Sequence, residues 1–198
     1  MTVFDQDYAY SVSVETPLGR IVVQGTKTHI QFLKFDEAMC MPNVANMTAD
    51  HAKPNWIDAC RQQLTQYFSG VLRDFDLPID PQGSDFQLRV WQALRQVSFG
   101  TIASYQQLAI DIGNANSVRA VASANARNPI WLIIPCHRIV GSDLALRGYA
   151  GGIVTKAQLL KREGLAINCD DVMLANEKTK LVTTSALQHP LSISSRNL

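Results

Sequence analysis

The residues best suited to chemistry lie together at Pro135-Cys136-His137-Arg138, directly after the apolar run Ile130 to Ile134. A thiol, an imidazole and a guanidinium are side chains that a buried strand normally excludes, and the proline marks where such a strand must stop. A cysteine thiol is a weak nucleophile at neutral pH because only a few per cent of it is thiolate. At the mouth of an apolar segment it ionises even less, so a useful Cys136 needs a base, and His137 is the nearest in sequence. In an extended segment neighbouring side chains point to opposite faces, which favours a proton relay through one water over direct contact.

The elements around this string fall into two patterns. Tyr8, Tyr10, Val12 and Val14 alternate along one face, Pro17-Leu18-Gly19 supplies a turn, and Ile21-Val22-Val23 and Ile30 to Phe35 continue an antiparallel meander. Residues 36–53 have no period and are read as a loop. Pro54 opens a helix on which Ile57, Cys60, Leu64, Tyr67 and Phe68 recur at helical spacing until Gly70, and Phe75 with Leu77 suggests one more strand. Asp80-Pro81-Gln82-Gly83 then forms a linker.

Beyond it, Ser84-Asp85-Phe86-Gln87 is a capping box ahead of a helix with the stripe Phe86, Val90, Leu94 and Val97. Ser104 to Gln107 repeats the capping signature for a helix running to Gly113. After Asn114-Ala115-Asn116, a helix from Ser117 to Ala126 turns Val118, Val121 and Ala122 inward. Two short helices across a tight turn read as a helix-turn-helix. A last helix from Thr155 to Glu163 closes on Gly164, and residues 171–198 are polar and aperiodic, with Val172-Met173-Leu174 the one stretch suited to docking. The expected division is 1–81, 82–168 and a tail, 169–198.

The net charge of +1 conceals an asymmetry. Residues 1–81 carry six Lys/Arg against ten Asp/Glu, residues 82–168 nine against four, and the tail three against three. The basic part is the part with Cys136, as an anionic partner such as DNA requires. No apolar run reaches the ~20 residues of a membrane helix and the first residues lack a signal-peptide pattern, so the sequence reads as cytoplasmic. Cys40, Cys60, Cys136 and Cys169 are scattered, without a Cys-x-x-Cys pair; Cys40 and His51 do not complete a ligand set, and no metal is expected.

The string Pro-Cys-His-Arg-Ile, with Asn128-Pro129 before it and Gly148-Tyr149 and Gly151-Gly152 after it, resembles the O6-alkylguanine-DNA alkyltransferases, over about Ser84 to Gly164. The resemblance implies an α/β N-terminal domain, ribonuclease-H-like with an antiparallel sheet and helix, and a mainly α-helical C-terminal domain with a winged-helix-like helix-turn-helix. It implies irreversible transfer of an alkyl group, chiefly methyl, from O6-alkylguanine in DNA to Cys136, without cofactor. The partner would be double-stranded DNA carrying O6-alkylguanine, met in the minor groove by a monomer, with no membrane involved. Because a thiol cannot reach a stacked base, the nucleotide must be flipped out.

By the same resemblance, Arg119 fills the gap left in the duplex, and the small residues around it, Ala120 and Ser123 among them, allow close approach to DNA; Arg138 is also assigned to DNA. Tyr105 donates to guanine N3, the carbonyls of Cys136 and Ile139 accept from the guanine amino group, and Tyr149 and the backbone N–H of Ala150 face the base. Asn128 braces the turn into the active-site segment and Lys156 lies close to the pocket. Glu163 orients His137, giving a relay of Glu163, His137, water and Cys136 that parallels hydrolytic triads. Trp131 and Arg147 are bulkier than the residues expected beside the alkyl pocket and at its entrance. Two rival readings are a non-catalytic helix-turn-helix DNA binder or damage sensor, and a cysteine hydrolase using Cys136, His137 and Glu163.

Overall fold

Strands β1 (Tyr10–Thr16), β2 (Gly19–Gly25) and β3 (Ile30–Phe35) form an antiparallel meander in sequence order, with Val12 opposite Val23 and Val23 opposite Leu33. The alternation read from the sequence therefore places Tyr10, Val12, Ile21, Val23 and Leu33 in a core. A bulge at Gln24/Gly25 lets β2 turn into β3, and only glycine fits there: a Cβ on Gly25 would lie 2.1 Å from the His29 carbonyl oxygen. Helix α1 (Asn55–Phe68) buries Trp56, Ile57, Cys60, Leu64, Tyr67 and Phe68. Phe75 to Leu77 does not form the expected strand; the chain instead makes a single parallel bridge between Ile79 and Ile30, with Ile30 donating to Pro78 O at 2.8 Å.

The computed structural model describes residues 8–36, 53–168 and 180–181. It divides into two units, Met1–Gln82 with Pro129–Trp131, and Gly83–Asn128 with Leu132–Leu198. The segment Pro129–Trp131 belongs with the sheet because Leu33 donates to Pro129 O at 2.9 Å and accepts from Trp131 N at 2.7 Å. Cys40, His51, Cys169 and Val172 to Leu174 lie outside the described residues.

In the second unit, α2 (Asp85–Leu94) starts on the capping box: Ser84 Oγ accepts from Gln87 N, and the Gln87 side chain accepts from Ser84 N at 2.8 Å. Strand β4 (Ala103–Ser104) leads into α3 (Tyr105–Asp111), where Ser104 caps Gln107 N at 3.0 Å while the Gln107 side chain turns to Asp111. Helix α4 (Val118–Ala126) packs on α2 and α3, and Trp91 Nε1 donates to Ala124 O at 2.9 Å to lock α2 on α4. Strand β5 (Ile139–Val140) pairs in parallel with β4, so the chain leaving the Cys-His-Arg string runs beside the start of α3. Helix α5 (Gly152–Arg162) closes the unit by packing Ala157 and Leu160 with Ile102, Val140, Leu146 and Leu165. Within the expected tail, β7 (Lys180–Leu181) pairs antiparallel with β6 (Ile167–Asn168). Among the described residues no helix is long and apolar enough to cross a membrane.

Candidate active site

The Cys-His-Arg string is not extended. After Trp131 the chain reverses through Leu132, which holds a left-handed φ of 68°, and Cys136–Arg138 form a single 3₁₀ turn. A branched side chain in that region costs backbone energy of the order of a kcal/mol, which its burial among packed neighbours offsets. Successive residues of a 3₁₀ turn point about a third of a revolution apart. Cys136, His137 and Arg138 are all buried, Cys136 against Asn128 and both His137 and Arg138 against the Glu163 carboxylate.

Cys136 is 2% exposed, and Asn128 Nδ2 donates to its Sγ at 3.0 Å and to Ile134 O at 2.7 Å. Asn128 sits where α4 ends and the turn begins, so one amide both ties the turn and places a donor on sulfur. A donor at sulfur favours thiolate over thiol.

His137 is fully buried and its Nε2 lies 2.8 Å from Glu163 Oε1. Burial holds its pKa below the ordinary value; Glu163 opposes that shift, while Arg138 and Lys156 add to it. The imidazole is thus neutral near pH 7. Burial alone would raise the Glu163 pKa, but the neighbouring His137 and Arg138 outweigh it and bring the carboxyl down to about 2. A neutral imidazole beside a carboxylate carries its proton on Nε2, which leaves Nδ1 as acceptor. That Nδ1 is buried and has no hydrogen-bond partner in the protein.

Arg138, expected on DNA, is 5% exposed and is spent inside the unit. Its Nε donates to Glu163 Oε2 at 2.9 Å, Nη2 to Oε1 at 3.0 Å and Nη1 to Val97 O at 2.6 Å, with the guanidinium 5.8 Å from the Phe99 ring centroid. A buried guanidinium requires a buried anion, and Glu163 at the end of α5 supplies it. The assignment of Arg138 to DNA is therefore corrected.

Lys156 is also fully buried, with Nζ donating to Ile139 O and, at 2.7 Å, to Arg147 O. Burial lowers its pKa to about 7, and the nearby Cys136 resists that fall. Ammonium and amine are thus both accessible at neutral pH beside the thiol. Tyr105, the first residue of α3, donates to Arg147 O at 3.1 Å. Burial first and Cys136 second push its pKa to about 12, against a hydrogen bond from Asn125, so the phenol stays protonated and able to donate. Gly148, at φ 60°, passes so close that a Cβ there would lie 2.9 Å from the Tyr105 hydroxyl. Tyr149 is buried, Ala150 exposed, and Ile139 buried on β5.

The hydrogen-bonded group thus comprises three sets: Asn128 with Cys136, His137 with Glu163, and Lys156 and Tyr105 on the Arg147 carbonyl. Arg119, Ala120 and Ser123 lie apart from that hydrogen-bonded group, on the exposed side of α4. Asn125 escaped the sequence reading: it is 2% exposed on α4, and its buried Oδ1 has no hydrogen-bond partner in the protein. A polar residue at an inward helical position was the available signal. Trp131 packs within the sheet unit on Phe35, at 6.2 Å between ring centroids, under Lys34. Arg147 is exposed and paired with Asp143 at 2.7 Å. Among the described residues, no three His, Cys, Asp or Glu side chains are grouped to hold a metal ion.

Comparison with known proteins matches residues 9–81 to the family model "6-O-methylguanine DNA methyltransferase, ribonuclease-like domain" and residues 85–165 to the model "6-O-methylguanine DNA methyltransferase, DNA binding domain". A methylated-DNA–protein-cysteine methyltransferase of Methanosarcina barkeri is 40% identical over 159 residues, covering 76% of this chain and 94% of the relative. The constitutive methylated-DNA–protein-cysteine methyltransferase of Bacillus subtilis is 37% identical over 160 residues, 79% of this chain and 96% of the relative. The crystal structure of Mycobacterium tuberculosis OGT in complex with DNA superposes with a TM-score of 0.67 at 35% identity, covering 77% of this chain and 91% of that one.

Proposed function

The chain belongs to the 6-O-methylguanine DNA methyltransferase family, and from that premise we infer that it repairs DNA by moving an alkyl group, chiefly methyl, from O6-alkylguanine to the sulfur of Cys136. The observation that carries the assignment to this residue is the buried hydrogen-bonded line from Asn128 to Cys136 Sγ, beside the His137–Glu163 pair. Sulfur attacks the alkyl carbon, the C–O6 bond breaks, and guanine leaves with the bonding electrons and takes up a proton. The product is a thioether, which has no leaving tendency, so each molecule acts once.

In this reading His137 Nδ1 takes the thiol proton through water and Glu163 holds the ring in the tautomer that permits it. Lys156 offers a positive charge to the thiolate, and its pKa of about 7 keeps that charge adjustable. The phenol of Tyr105 donates to guanine N3, exchanging its carbonyl partner for the base, while the carbonyls of Cys136 and Ile139 take the amino group and Tyr149 and Ala150 N–H line the base. Asn128 braces the turn. The partner is double-stranded DNA; Arg119 enters the duplex where the nucleotide has left, and Ala120 and Ser123 let α4 approach the minor groove. Exposure of these three residues on one helix supports that role. The protein works as a monomer in the cytoplasm, where its buried free thiols Cys60 and Cys136 stay reduced, with residues 1–81 as scaffold, 82–168 as the reactive domain and 169–198 as an appendage.

Titrating the protein with duplex carrying O6-methylguanine tests this. Demethylation stops at one equivalent per molecule in this reading; continued turnover points to a hydrolase, and binding without demethylation to a damage sensor.

A further inference from the structure

Arg138 lies two residues from the reactive cysteine, is almost wholly buried, and its hydrogen bonds to Glu163 and Val97 reach no atom that reacts. Its three donors go to Glu163 Oε2, Glu163 Oε1 and Val97 O, and the same carboxylate also accepts from Gly100 N at 3.2 Å and faces His137 Nε2 at 2.8 Å. Both carboxylate oxygens are therefore occupied by donors on fixed elements, and no room is left for a proton on either. A fork of two parallel bonds also fixes the carboxylate plane, which a point charge such as lysine does not.

We propose that Arg138 is a positioning residue of the alkyl transfer, holding Glu163 as an oriented carboxylate so that His137 keeps its proton on Nε2 and presents Nδ1 as acceptor. The inference rests on the functional reading above and adds to it a member that acts only through Glu163. Without the guanidinium, Glu163 would sit in a buried site facing a neutral imidazole and the Gly100 N–H, with no cation hydrogen-bonded to it among the groups named above, and the balance moves towards the carboxyl form. A protonated Glu163 donates to Nε2, which moves the imidazole proton to Nδ1 and blocks it as acceptor. The charged and titratable groups around the pair are His137 and Arg138 from the 3₁₀ turn and Lys156 from α5; Lys156 acts on His137, and Phe99, Val97 and Gly100 contribute no charge.

The test is single-turnover methyl transfer from methylated duplex between pH 5.5 and 9 (roughly the range in which buried carboxyl and imidazole groups titrate), with Arg138→Met, Arg138→Lys, and Arg138→Met on a Glu163→Gln background. Arg138→Met loses at least roughly tenfold at the acid end and recovers most of it at the alkaline end, while Arg138→Lys keeps the wild-type profile with a smaller loss. On Glu163→Gln, the added Arg138→Met changes the rate by less than about twofold, since the residue it acts through is gone. This double variant removes the buried charge pair as a unit, and it preserves the test should Arg138→Met alone not fold. DNA affinity keeps its salt dependence in every variant, whereas a lost phosphate contact would lower the slope by about 0.9. A loss by the same factor at every pH, a full further loss on Glu163→Gln, or a reduced salt slope would each overturn the inference and leave the functional reading standing. A wild-type protein that transfers nothing overturns both.

Discussion

Two cysteines are buried to nearly the same degree, Cys60 at 0% and Cys136 at 2%, one in each unit of the chain, and their surroundings are opposite. Cys60 sits on the apolar stripe of α1 with Ile57, Leu64 and Tyr67, and burial pushes its thiol up to about 12 against only slight help from Arg61. Cys136 has an amide donor on sulfur and a buried lysine close by. The contrast extends to the units: among the described residues, the buried polar and charged ones, Asn125, Asn128, His137, Arg138, Lys156 and Glu163, all belong to the second. Burial alone silences a thiol; burial among donors and cations makes it usable. The sheet unit is built for stability, and the second unit carries a cluster that costs desolvation and is justified by chemistry.

The largest test of that contrast is a pair of substitutions. Cys136→Ala abolishes methyl uptake while Cys60→Ala leaves it unchanged, read as methyl incorporated per molecule. Next, Leu33→Ala in the sheet core costs about 2–5 kcal/mol of unfolding free energy, without changing the stoichiometry of transfer by the folded protein; denaturant unfolding and titration read the two effects separately.

Glu163 gives a smaller effect with a definite sign. Its folded pKa of about 2 lies below the unfolded carboxylate value, so its contribution is present above about 4.5 and is lost as pH falls towards 2. The contribution is on the order of 3 kcal/mol, and Glu163→Gln should flatten the fall in stability across that window, measured by chemical denaturation at several pH values. Smallest is Arg119→Ala: repair in duplex slows by up to a few kcal/mol of barrier, the order of the unstacking cost, and transfer from free O6-benzylguanine stays unchanged. Equal slowing of both substrates would return Arg119 to a structural role.

Much of this arrangement was legible in the chain because it is local. The Ser84–Gln87 box, the alternation in β1 to β3 and the stripe of α1 are each written within one or two turns or strands. What escaped was nonlocal. Arg138 reads as a DNA contact because its anion, Glu163, comes 25 positions later. Trp131 reads as a pocket residue because its neighbours in sequence line the site, but Pro129–Trp131 fold with the sheet and pair with Leu33 of that same unit. The Cys-His-Arg string reads as a strand mouth because an apolar run and a proline precede it, and the left-handed Leu132 that folds it into a 3₁₀ turn has no signature in residue type. The imidazole–carboxylate pair was anticipated only through family resemblance.

The claim that Cys136 and not its buried counterpart is the acceptor is tested most directly by peptide mass spectrometry after incubation with methylated duplex. The account predicts one added methyl group, on the peptide carrying Cys136, with the Cys60 peptide unmodified. Methyl on Cys40, Cys60 or Cys169, or demethylated DNA with no adduct on any cysteine, would contradict it.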